Sequence, residues 1–318
     1  MKVMVTGCSG YIGSVMCKLL KEEGHDVLGV DLQHCSHKYL DNFIQSDIRS
    51  NVVGKQAVLF NPDAIFHFAA SADVGLSVES PGLFYHNNIG ATSEFVTDLV
   101  EKYGWRGHFI FSSTAAVYGW GSSNGCDERD ELAPCNPYGE SKLMCEQFLT
   151  TMALSHKFKL TMFRYFNVAG AWDDMGDHLD AGHIIPRMCS ASYFNRPFTL
   201  FGNDHITEDG TCVRDYVHVR DICRAHLHAF YNQKTSNETY NLGSGTGFSN
   251  LSTINAFRRF VNEHMQYIVT DARPGDPPTL VAVPDKFKDD TGFVYEHTNL
   301  ERMITSSWDY YRTKMKAN

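Results

Sequence analysis

Tyr138 and Lys142 are the residues whose types and spacing most clearly suggest catalysis. They belong to the sequence Pro-Tyr-Gly-Glu-Ser-Lys at residues 137–142, and apolar residues at helical spacing follow them. A spacing of four places the phenol and the ammonium on one face of a helix. A phenol with a free pKa of about 10 is a poor base near neutral pH, but an adjacent lysine cation lowers that pKa. The pair therefore predicts a general base, although pairs of this spacing are also common as surface contacts.

A glycine-rich turn near the start of the chain predicts a nucleotide-binding loop. An apolar run at residues 2–6 leads into Gly7, Gly10 and Gly13, and a helical pattern follows. The glycines permit a tight turn, and the N-terminus of the helix attracts a pyrophosphate. Asp31 ends the second predicted strand, where its carboxylate can bind a ribose 2′-hydroxyl and would repel a 2′-phosphate. This arrangement favours NAD over NADP.

The later strands indicate where the ligands bind. Residues 64–70 and 108–111 are near-continuous apolar runs, which are typical of strands buried on both faces of a parallel sheet. Ligands of open α/β sheets bind outside the carboxyl ends of the strands, so Thr114 and the helix that carries Tyr138 should converge on one crevice. Asp47 follows another predicted strand, where it can accept a hydrogen bond from an adenine amine or simply cap a helix.

The order of the elements predicts an α/β fold with two lobes. Strands and helices alternate up to about residue 170, which predicts a doubly wound parallel Rossmann sheet. Beyond that point the loops lengthen and the alternation is lost, which predicts a smaller α+β substrate-binding lobe. We therefore expect an NAD-binding domain at residues 1–170 and a substrate domain at residues 171–318, with residues 214–245 returning to the first.

The composition argues against several functional classes. The formal net charge of -9 argues against nucleic-acid binding and requires local cations for any anionic ligand. No segment approaches a membrane span, and the first apolar run is too short for a signal peptide, so we expect a cytoplasmic protein with no membrane partner. The nine cysteines are scattered without a Cys-x-x-Cys motif, which indicates reduced thiols and no metal site.

With these features, the chain resembles the extended short-chain dehydrogenase/reductase family and, within it, the UDP-glucose 4-epimerases. The resemblance runs from the glycine loop to about Ala282. Its most specific part is residues 201–219, which contain Phe-Gly-Asn-Asp, Thr-Glu-Asp-Gly and Val-Arg-Asp-Tyr-Val-His-Val. Shorter matching motifs lie at residues 111–119, 137–142, 164–167 and 273–276.

The resemblance implies an NAD-dependent isomerase that converts UDP-galactose to UDP-glucose through a transient 4-keto sugar. Tyr138 would be the base, Lys142 would hold the nicotinamide ribose and lower the tyrosine pKa, and Thr114 would bond the reacting hydroxyl. The implied cofactor contacts are Gly7, Gly10, Tyr11, Ile12, Gly13, Asp31, Asp47, Ile48, Phe68, Ala69, Ala70, Asn87, Ser112, Tyr138, Lys142 and Tyr165. The implied UDP-sugar contacts are Thr114, Tyr138, Asn88, Phe166, Asn167, His183, Ile184, Thr199, Phe201, Arg214, Arg273, Asp276 and Leu280.

Two positions leave cofactor retention and the preferred sugar open. Ala72 stands where many members of the family carry a cofactor-contacting lysine. Leu280 matches a position that helps to set tolerance for a 2-acetamido group, and leucine is intermediate between a restrictive tyrosine and a permissive small residue. An epimerase of UDP-GlcNAc and UDP-GalNAc, or of a UDP-hexuronate, is therefore an alternative.

Three further expectations concern reaction class and assembly. A nucleotide-sugar dehydratase or decarboxylase would need an additional acid or base where this chain has Ala115 and Ala116. A non-catalytic NAD-binding sensor would have no need for the Thr114, Tyr138 and Lys142 set. The predicted helices near residues 83–103 and 137–156 carry apolar residues beyond those that one sheet face requires, and in the family the corresponding helices pair across a homodimer.

Overall fold

The computed structural model describes residues 1–35, 37–122, 124–179, 181–232, 237–273 and 275–317. A central sheet and two smaller sheets contain its strands. They are β1 (Lys2–Thr6), β2 (Asp26–Asp31), β3 (Asn42–Gln45), β4 (Ala64–His67), β5 (His108–Thr114), β6 (Lys159–Tyr165), β7 (Asn167–Ala169), β8 (Phe198–Phe201), β9 (Val213–His218), β10 (Glu238–Leu242), β11 (Gly247–Ser249), β12 (Tyr267–Thr270) and β13 (Thr279–Leu280).

The helices flank these strands, and a few short turns of other helical types join them. The α-helices are α1 (Tyr11–Glu22), α2 (Asn51–Phe60), α3 (Val74–Glu79), α4 (Pro81–Phe84), α5 (Ala91–Thr97), α6 (Pro137–His156), α7 (Ile184–Tyr193), α8 (Val219–Asn232), α9 (Asn250–Phe260), α10 (Asp285–Thr291) and α11 (Leu300–Ala317). Two π-helical stretches, Tyr85–Gly90 and Asp98–Lys102, continue α4 and α5, and a 3₁₀ turn spans Ala115–Tyr118.

The central sheet has seven strands in the order β10-β6-β5-β4-β1-β2-β3, and all of its pairings are parallel. The order runs outwards in both directions from the neighbours β1 and β4, so the sheet is doubly wound and leaves a crevice between them. This confirms the predicted Rossmann-like sheet.

Apolar cores cover both faces of this sheet, as its buried strands require. One core packs α1 and α8 against the sheet through residues such as Val15, Leu19 and Ile222. The other core packs α5 and α6 against the opposite face through residues such as Phe95, Val96 and Leu149. The two layers fix the carboxyl ends of β1, β2, β4 and β5 along one edge.

The remaining strands build the smaller lobe. Strand β9 pairs in parallel with β7 and β13 and antiparallel with β11, and β8 pairs in parallel with β12. Within residues 214–245, β9 pairs with strands of the smaller sheet, whereas β10 pairs with β6 of the central sheet; the return of this segment to the first lobe stays a prediction. The division of the chain at residue 170 stays a prediction.

The C-terminal part contributes to both lobes. Phe287 of α10 and the nearby Phe293 lie in the core that includes α1 and α8. Helix α11 packs on α7 and α9 and buries Met303 and Ile304 in the core of the smaller lobe. Among the described residues, no helix has both the length and the apolar character to cross a bilayer. All nine cysteines are free, and seven are buried.

Candidate active site

The glycine loop between β1 and α1 packs so closely that two of its glycines cannot be replaced without a clash. Gly7 has φ +73°, and a Cβ there would lie 2.7 Å from the backbone nitrogen of Ala69. A Cβ on Gly13 would lie 2.0 Å from the carbonyl oxygen of Gly7. The loop is therefore pressed against the end of β4 on one side and against α1 on the other.

The first turn of α1 is suited to an anion. Gly10 caps the helix without a side-chain hydrogen bond, and the first turn carries no acidic residue. The backbone N–H groups of Tyr11 and Ile12 have no hydrogen-bond acceptor among the described residues. Free N–H groups at the positive end of a helix dipole form a phosphate site. The loop thus fits the pyrophosphate of a dinucleotide, as the sequence predicts.

Asp31 lies beside this loop at the end of β2. One carboxylate oxygen accepts a hydrogen bond from the Ser9 N–H at 2.9 Å, and the other accepts one from the Gln33 N–H at 2.9 Å. Each oxygen keeps a second lone pair, so the carboxylate is held in place and can still accept a ribose hydroxyl. This position agrees with the selectivity for NAD that the sequence predicts.

Asp47 has a different local role from a helix cap. Its carboxylate accepts hydrogen bonds from the Arg49 side chain at 3.0 and 2.6 Å, and this contact holds the pKa of Asp47 below its ordinary value. The cap of α2 is Ser50, which accepts a hydrogen bond from the Val52 N–H. Ile48, between them, is 8% exposed and belongs to the core.

Helix α6 places the catalytic candidates at the edge of the sheet. Asn136 caps it by accepting a hydrogen bond from the Gly139 N–H at 2.9 Å, and Pro137 occupies its first turn. The helix therefore begins directly before Tyr138, and one turn later it buries Lys142. Thr114 is the last residue of β5, and its side chain lies close enough to the Tyr138 hydroxyl to lower the pKa of that group. The two side chains that the sequence places in one crevice are therefore neighbours.

The pKa of Tyr138 differs in direction from the sequence prediction. Burial raises it, and the hydrogen bond from Thr114 offsets that rise only in part. Lys142 does not compensate, because its ammonium donates to the backbone carbonyl of Ser112 at 2.7 Å and lies 4.8 Å from the ring centroid of Phe111. The phenol is therefore protonated near neutral pH unless a further positive charge approaches it.

Burial also changes the titration of Lys142, which is 2% exposed. It lowers the pKa of Lys142 to about 8, against about 10.5 for a free lysine. Between these two values the unfolded chain binds more protons than the folded chain, so Lys142 makes stability rise with pH. We expect the free energy of unfolding of nucleotide-free protein, relative to that of Lys142→Met, to increase by up to ~3 kcal/mol between pH 7.5 and 10.5.

Urea unfolding of both proteins at several pH values tests this expectation. The methionine variant supplies the reference, because it removes the titrating group and retains much of the side-chain volume. A difference between the two proteins that stays flat across this range would show that Lys142 keeps an ordinary pKa.

The end of β4 and the neighbouring helical segment hold each other in place. Phe68, Ala69 and Ala70 follow β4 and are partly exposed. Asn87 donates to the Ser71 hydroxyl at 2.8 Å. These residues border the glycine loop, where the sequence places the cofactor.

Asn88 does not face a substrate. It is 1% exposed, its amide oxygen accepts from the Ser71 N–H at 2.8 Å, and its amide nitrogen donates to the Ser71 carbonyl and to the Ser141 hydroxyl. Asn88 lies in the π-helical stretch Tyr85–Gly90, whose wider turn departs from the 3.6-residue spacing assumed from sequence. Its role is to tie the end of β4 to α6.

Tyr165 and Phe166 continue from β6 into the site region. The Tyr165 hydroxyl is 2.6 Å from Nε2 of buried His226. The ring of Phe166 is 6.5 Å from that of Tyr118 and lies in a small cluster that includes Leu280. Tyr165 and Phe166 thus lie in different environments, and Phe166 belongs to the same apolar cluster as Leu280.

Two arginines of the smaller lobe lie where the sequence places a diphosphate, and they differ in environment. Arg214 on β9 is 8% exposed and donates to the Asp276 carboxylate at 2.6 Å, so Asp276 orients this arginine. The Arg273 guanidinium lies 3.9 Å from the ring centroid of Phe201 and has no carboxylate partner among the described residues. Pro274 of the same motif lies outside the part of the chain that the structure describes.

Arg187 is a residue that the sequence analysis missed. Its guanidinium lies 4.6 Å from the Phe201 centroid and donates to the Thr199 carbonyl at 2.8 Å. Burial and the charge of Arg273 lower its pKa to about 10. An arginine on an amphipathic helix resembles any solvated residue, so no sequence signal identified it.

The other predicted substrate contacts are distributed along the same lobe. Asn167 is the first residue of β7 and pairs with Tyr216 of β9. His183 precedes α7, is exposed, and lies 2.7 Å from the Asp177 carboxylate, while Ile184 begins that helix. The described residues contain no cluster of histidine, cysteine or carboxylate side chains suited to a metal ion.

A buried ionic network lies behind the catalytic candidates and was also missed. Arg164 donates to both oxygens of Glu146 at 3.0 and 2.7 Å, and the Ser113 hydroxyl donates to the same carboxylate. Ser113 directly precedes Thr114, and Glu146 lies one turn after Lys142. The three members lie on β5, β6 and α6, so only the folded chain brings them together.

Comparisons with known proteins support this arrangement. Residues 3–243 match the model of the NAD dependent epimerase/dehydratase family. The chain is 37% identical to a UDP-glucose 4-epimerase of Lactobacillus helveticus, over 100% of this chain and 99% of that protein. It superposes with a TM-score of 0.90 and 30% identity on a UDP-glucose 4-epimerase of Stenotrophomonas maltophila with bound NAD and formylated UDP-arabinopyranose, over 100% of both chains. A UDP-glucose 4-epimerase of Bifidobacterium longum in complex with NAD⁺ and UDP gives a TM-score of 0.92 and 28% identity, again over 100% of both chains.

Proposed function

Because the chain belongs to the NAD dependent epimerase/dehydratase family, we propose that it is an NAD-dependent isomerase that interconverts UDP-galactose and UDP-glucose. The observation that carries this proposal is that Thr114 and Tyr138 are neighbours at the carboxyl edge of the sheet, which also carries a glycine loop that fits a pyrophosphate. Two relatives that match at least 98% of the chain, from Lactobacillus helveticus and Corynebacterium glutamicum, are UDP-glucose 4-epimerases.

The chain's own groups account for cofactor binding in this proposal. The first turn of α1 holds the pyrophosphate, Asp31 accepts the adenosine ribose hydroxyl, and Lys142 holds the nicotinamide ribose. When bound, NAD⁺ accepts a hydride from C4 of the sugar and returns it to the opposite face, so there is no net redox change. Burial raises the pKa of Tyr138, and its phenol would ionise more readily beside a positively charged nicotinamide.

The remaining groups hold the UDP-sugar and move its proton. Tyr138 Oη accepts the 4-hydroxyl proton as the hydride leaves and gives it back when the hydride returns, while Thr114 orients that hydroxyl. Arg214 and Arg273 bind the diphosphate, since planar guanidiniums match phosphate geometry. The sugar lies against Asn167, Phe166 and Leu280.

The direct test is conversion of UDP-galactose by purified protein without added NAD⁺, followed by chromatography for UDP-glucose. We expect interconversion, with UDP-GalNAc and UDP-galacturonate in parallel reactions converted more slowly. Activity that appears only after NAD⁺ is supplied would indicate weak cofactor retention, in agreement with Ala72 replacing the lysine. No conversion of UDP-galactose under either condition would contradict the proposal.

We further propose that the protein is a homodimer formed through the outer face of α6. Four apolar residues that suggested an interface, Phe95, Val96, Leu99 and Leu149, lie in the core instead. Met144 and Leu154 of α6, however, are 38% and 66% exposed.

We expect light scattering at micromolar concentration to give twice the chain mass. Met144→Glu should give a monomer, whereas Leu59→Glu, on exposed α2, should stay dimeric; a monomeric wild type would contradict the dimer.

We also propose a cytoplasmic location. The nine cysteines are all free, and most are buried. A chain with this many unpaired thiols is suited to a reducing compartment.

A further inference from the structure

A cavity of about 300 Å³ lies between the loop that follows β7, the first turn of α8 and helix α11. His218, Arg220, His297 and Arg302 contribute to its wall, and Trp172 lies at one side. Its volume is at the lower limit for a small-molecule site. The function proposed above assigns no role to these residues.

The cavity is distinct from the substrate crevice. Strands β7 and β9 run in parallel, with Asn167 and Arg214 near their starts and Ala169 and His218 at their ends. The four steps from Arg214 to His218 span about 13 Å of extended strand, so the cavity opens at the opposite end of β9 from Arg214. Gly170 directly precedes Ala171, which lines the cavity, and its carbonyl accepts a hydrogen bond from the Tyr11 hydroxyl of α1.

The cavity carries an excess of positive charge in a protein of negative net charge. Within the described part of the chain, neither Arg220 nor Arg302 pairs with a carboxylate. Lys18 and Arg312 neutralise the two acidic residues of the wall, Asp173 and Asp309. Asp221, which lies nearby, is already bonded to Arg224 and to the N–H groups of residues 296 and 297.

Buried polar atoms in this wall also lack partners. His297 is 7% exposed, and neither of its ring nitrogens has a hydrogen-bond partner among the described residues. The buried Nε of Arg220 is equally unpartnered, while its guanidinium lies 4.5 Å from the Trp172 ring centroid. Native proteins rarely leave buried polar atoms unpaired, and both residues line this cavity, which indicates a polar partner that the described residues do not supply.

We propose that this cavity binds a small molecule that carries a phosphate group. Arginine presents a planar fork of donors that matches phosphate oxygens, and two arginines here have no competing carboxylate. The neutral imidazole of His297 adds a buried N–H donor. The indole of Trp172 adds an apolar surface at the edge of the site for the rest of the ligand.

Titration with inorganic phosphate tests the proposal on protein that carries NAD and is saturated with UDP, so that the nucleotide sites are occupied. A ligand that binds only the folded state raises the midpoint of thermal unfolding. We expect phosphate to raise it above the value in sodium chloride of equal ionic strength, and acetate to leave it unchanged. Calorimetry should then give an affinity for phosphate that falls at least tenfold in Arg302→Gln.

The variants localise the site without depending on turnover. Arg302 is exposed, so its replacement should not prevent folding, and Arg220→Gln provides a second removal of charge from the same wall. Arg259→Gln on α9 removes one positive charge away from the cavity and should bind phosphate as the wild type does. Equal phosphate affinity in all four proteins, or a wild type that responds to acetate as it does to phosphate, would overturn the proposal.

Discussion

Phenylalanine at position 138 is expected to lower kcat for UDP-galactose about 10³-fold, while KM changes by less than about threefold. The substitution removes one hydroxyl from a ring that lies 6.4 Å from the Phe84 ring, so packing is retained and proton transfer is lost. The diphosphate contacts of Arg214 and Arg273 are untouched, which is why binding should persist. Steady-state kinetics together with UDP titration separate the two effects.

The matched control is Tyr85→Phe. Tyr85 donates to the Glu140 carboxylate at 2.6 Å, next to α6, but its phenol lies outside the proposed chemistry. This variant should therefore turn over at close to the wild-type rate. If Tyr138→Phe kept more than a tenth of the wild-type kcat, the assignment of the base would be wrong.

The local signals in the sequence predicted the nucleotide end of the site well. Gly7, Gly13 and Asp31 lie within short segments, and each has a chemical reason for its position that does not depend on distant packing. The doubly wound parallel sheet was predictable for a similar reason, because alternating strands and helices permit few topologies. Tyr138 and Thr114 lie close together because Thr114 ends β5 and Tyr138 lies in the first turn of α6, and the topology places these two ends at one edge of the sheet.

The contacts that the sequence did not predict depend on distant pairing or on irregular turns. Asn88 turns inward because the helix around it is π-helical, and Arg187 gains meaning only because Phe201 and Arg273 lie beside it. The raised pKa of Tyr138 has the same origin, since desolvation is a property of the packed site and not of the Tyr-x-x-x-Lys spacing. The sequence therefore predicted which side chains are neighbours better than it predicted their electrostatics, while their catalytic roles stay a proposal.

The second large effect is expected at the ionic network behind the site, where Glu146→Leu should lower the free energy of unfolding by about 3–5 kcal/mol. Glu146 and Arg164 have side chains that are each 5% exposed. Removal of the carboxylate leaves the Arg164 charge buried, and the acceptors that remain for it among the described residues are the Tyr118 hydroxyl and the Glu128 carbonyl. Urea unfolding measures the loss.

The double replacement Glu146→Leu with Arg164→Met distinguishes a buried unpaired charge from simple loss of packing. It removes both charges, so most of the lost stability should return, as is usual when apolar groups replace a buried pair. Lys102→Gln breaks an exposed pair with Asp98 on the helical segment before β5 and should leave the free energy of unfolding close to that of the wild type. Ser113 directly precedes Thr114, and Glu146 lies one helical turn after Lys142. The Glu146→Leu variant should therefore also lower kcat. The double variant should restore the free energy of unfolding more fully than it restores kcat. Equal stability in the single and double variants would show that the pair does not carry this energy.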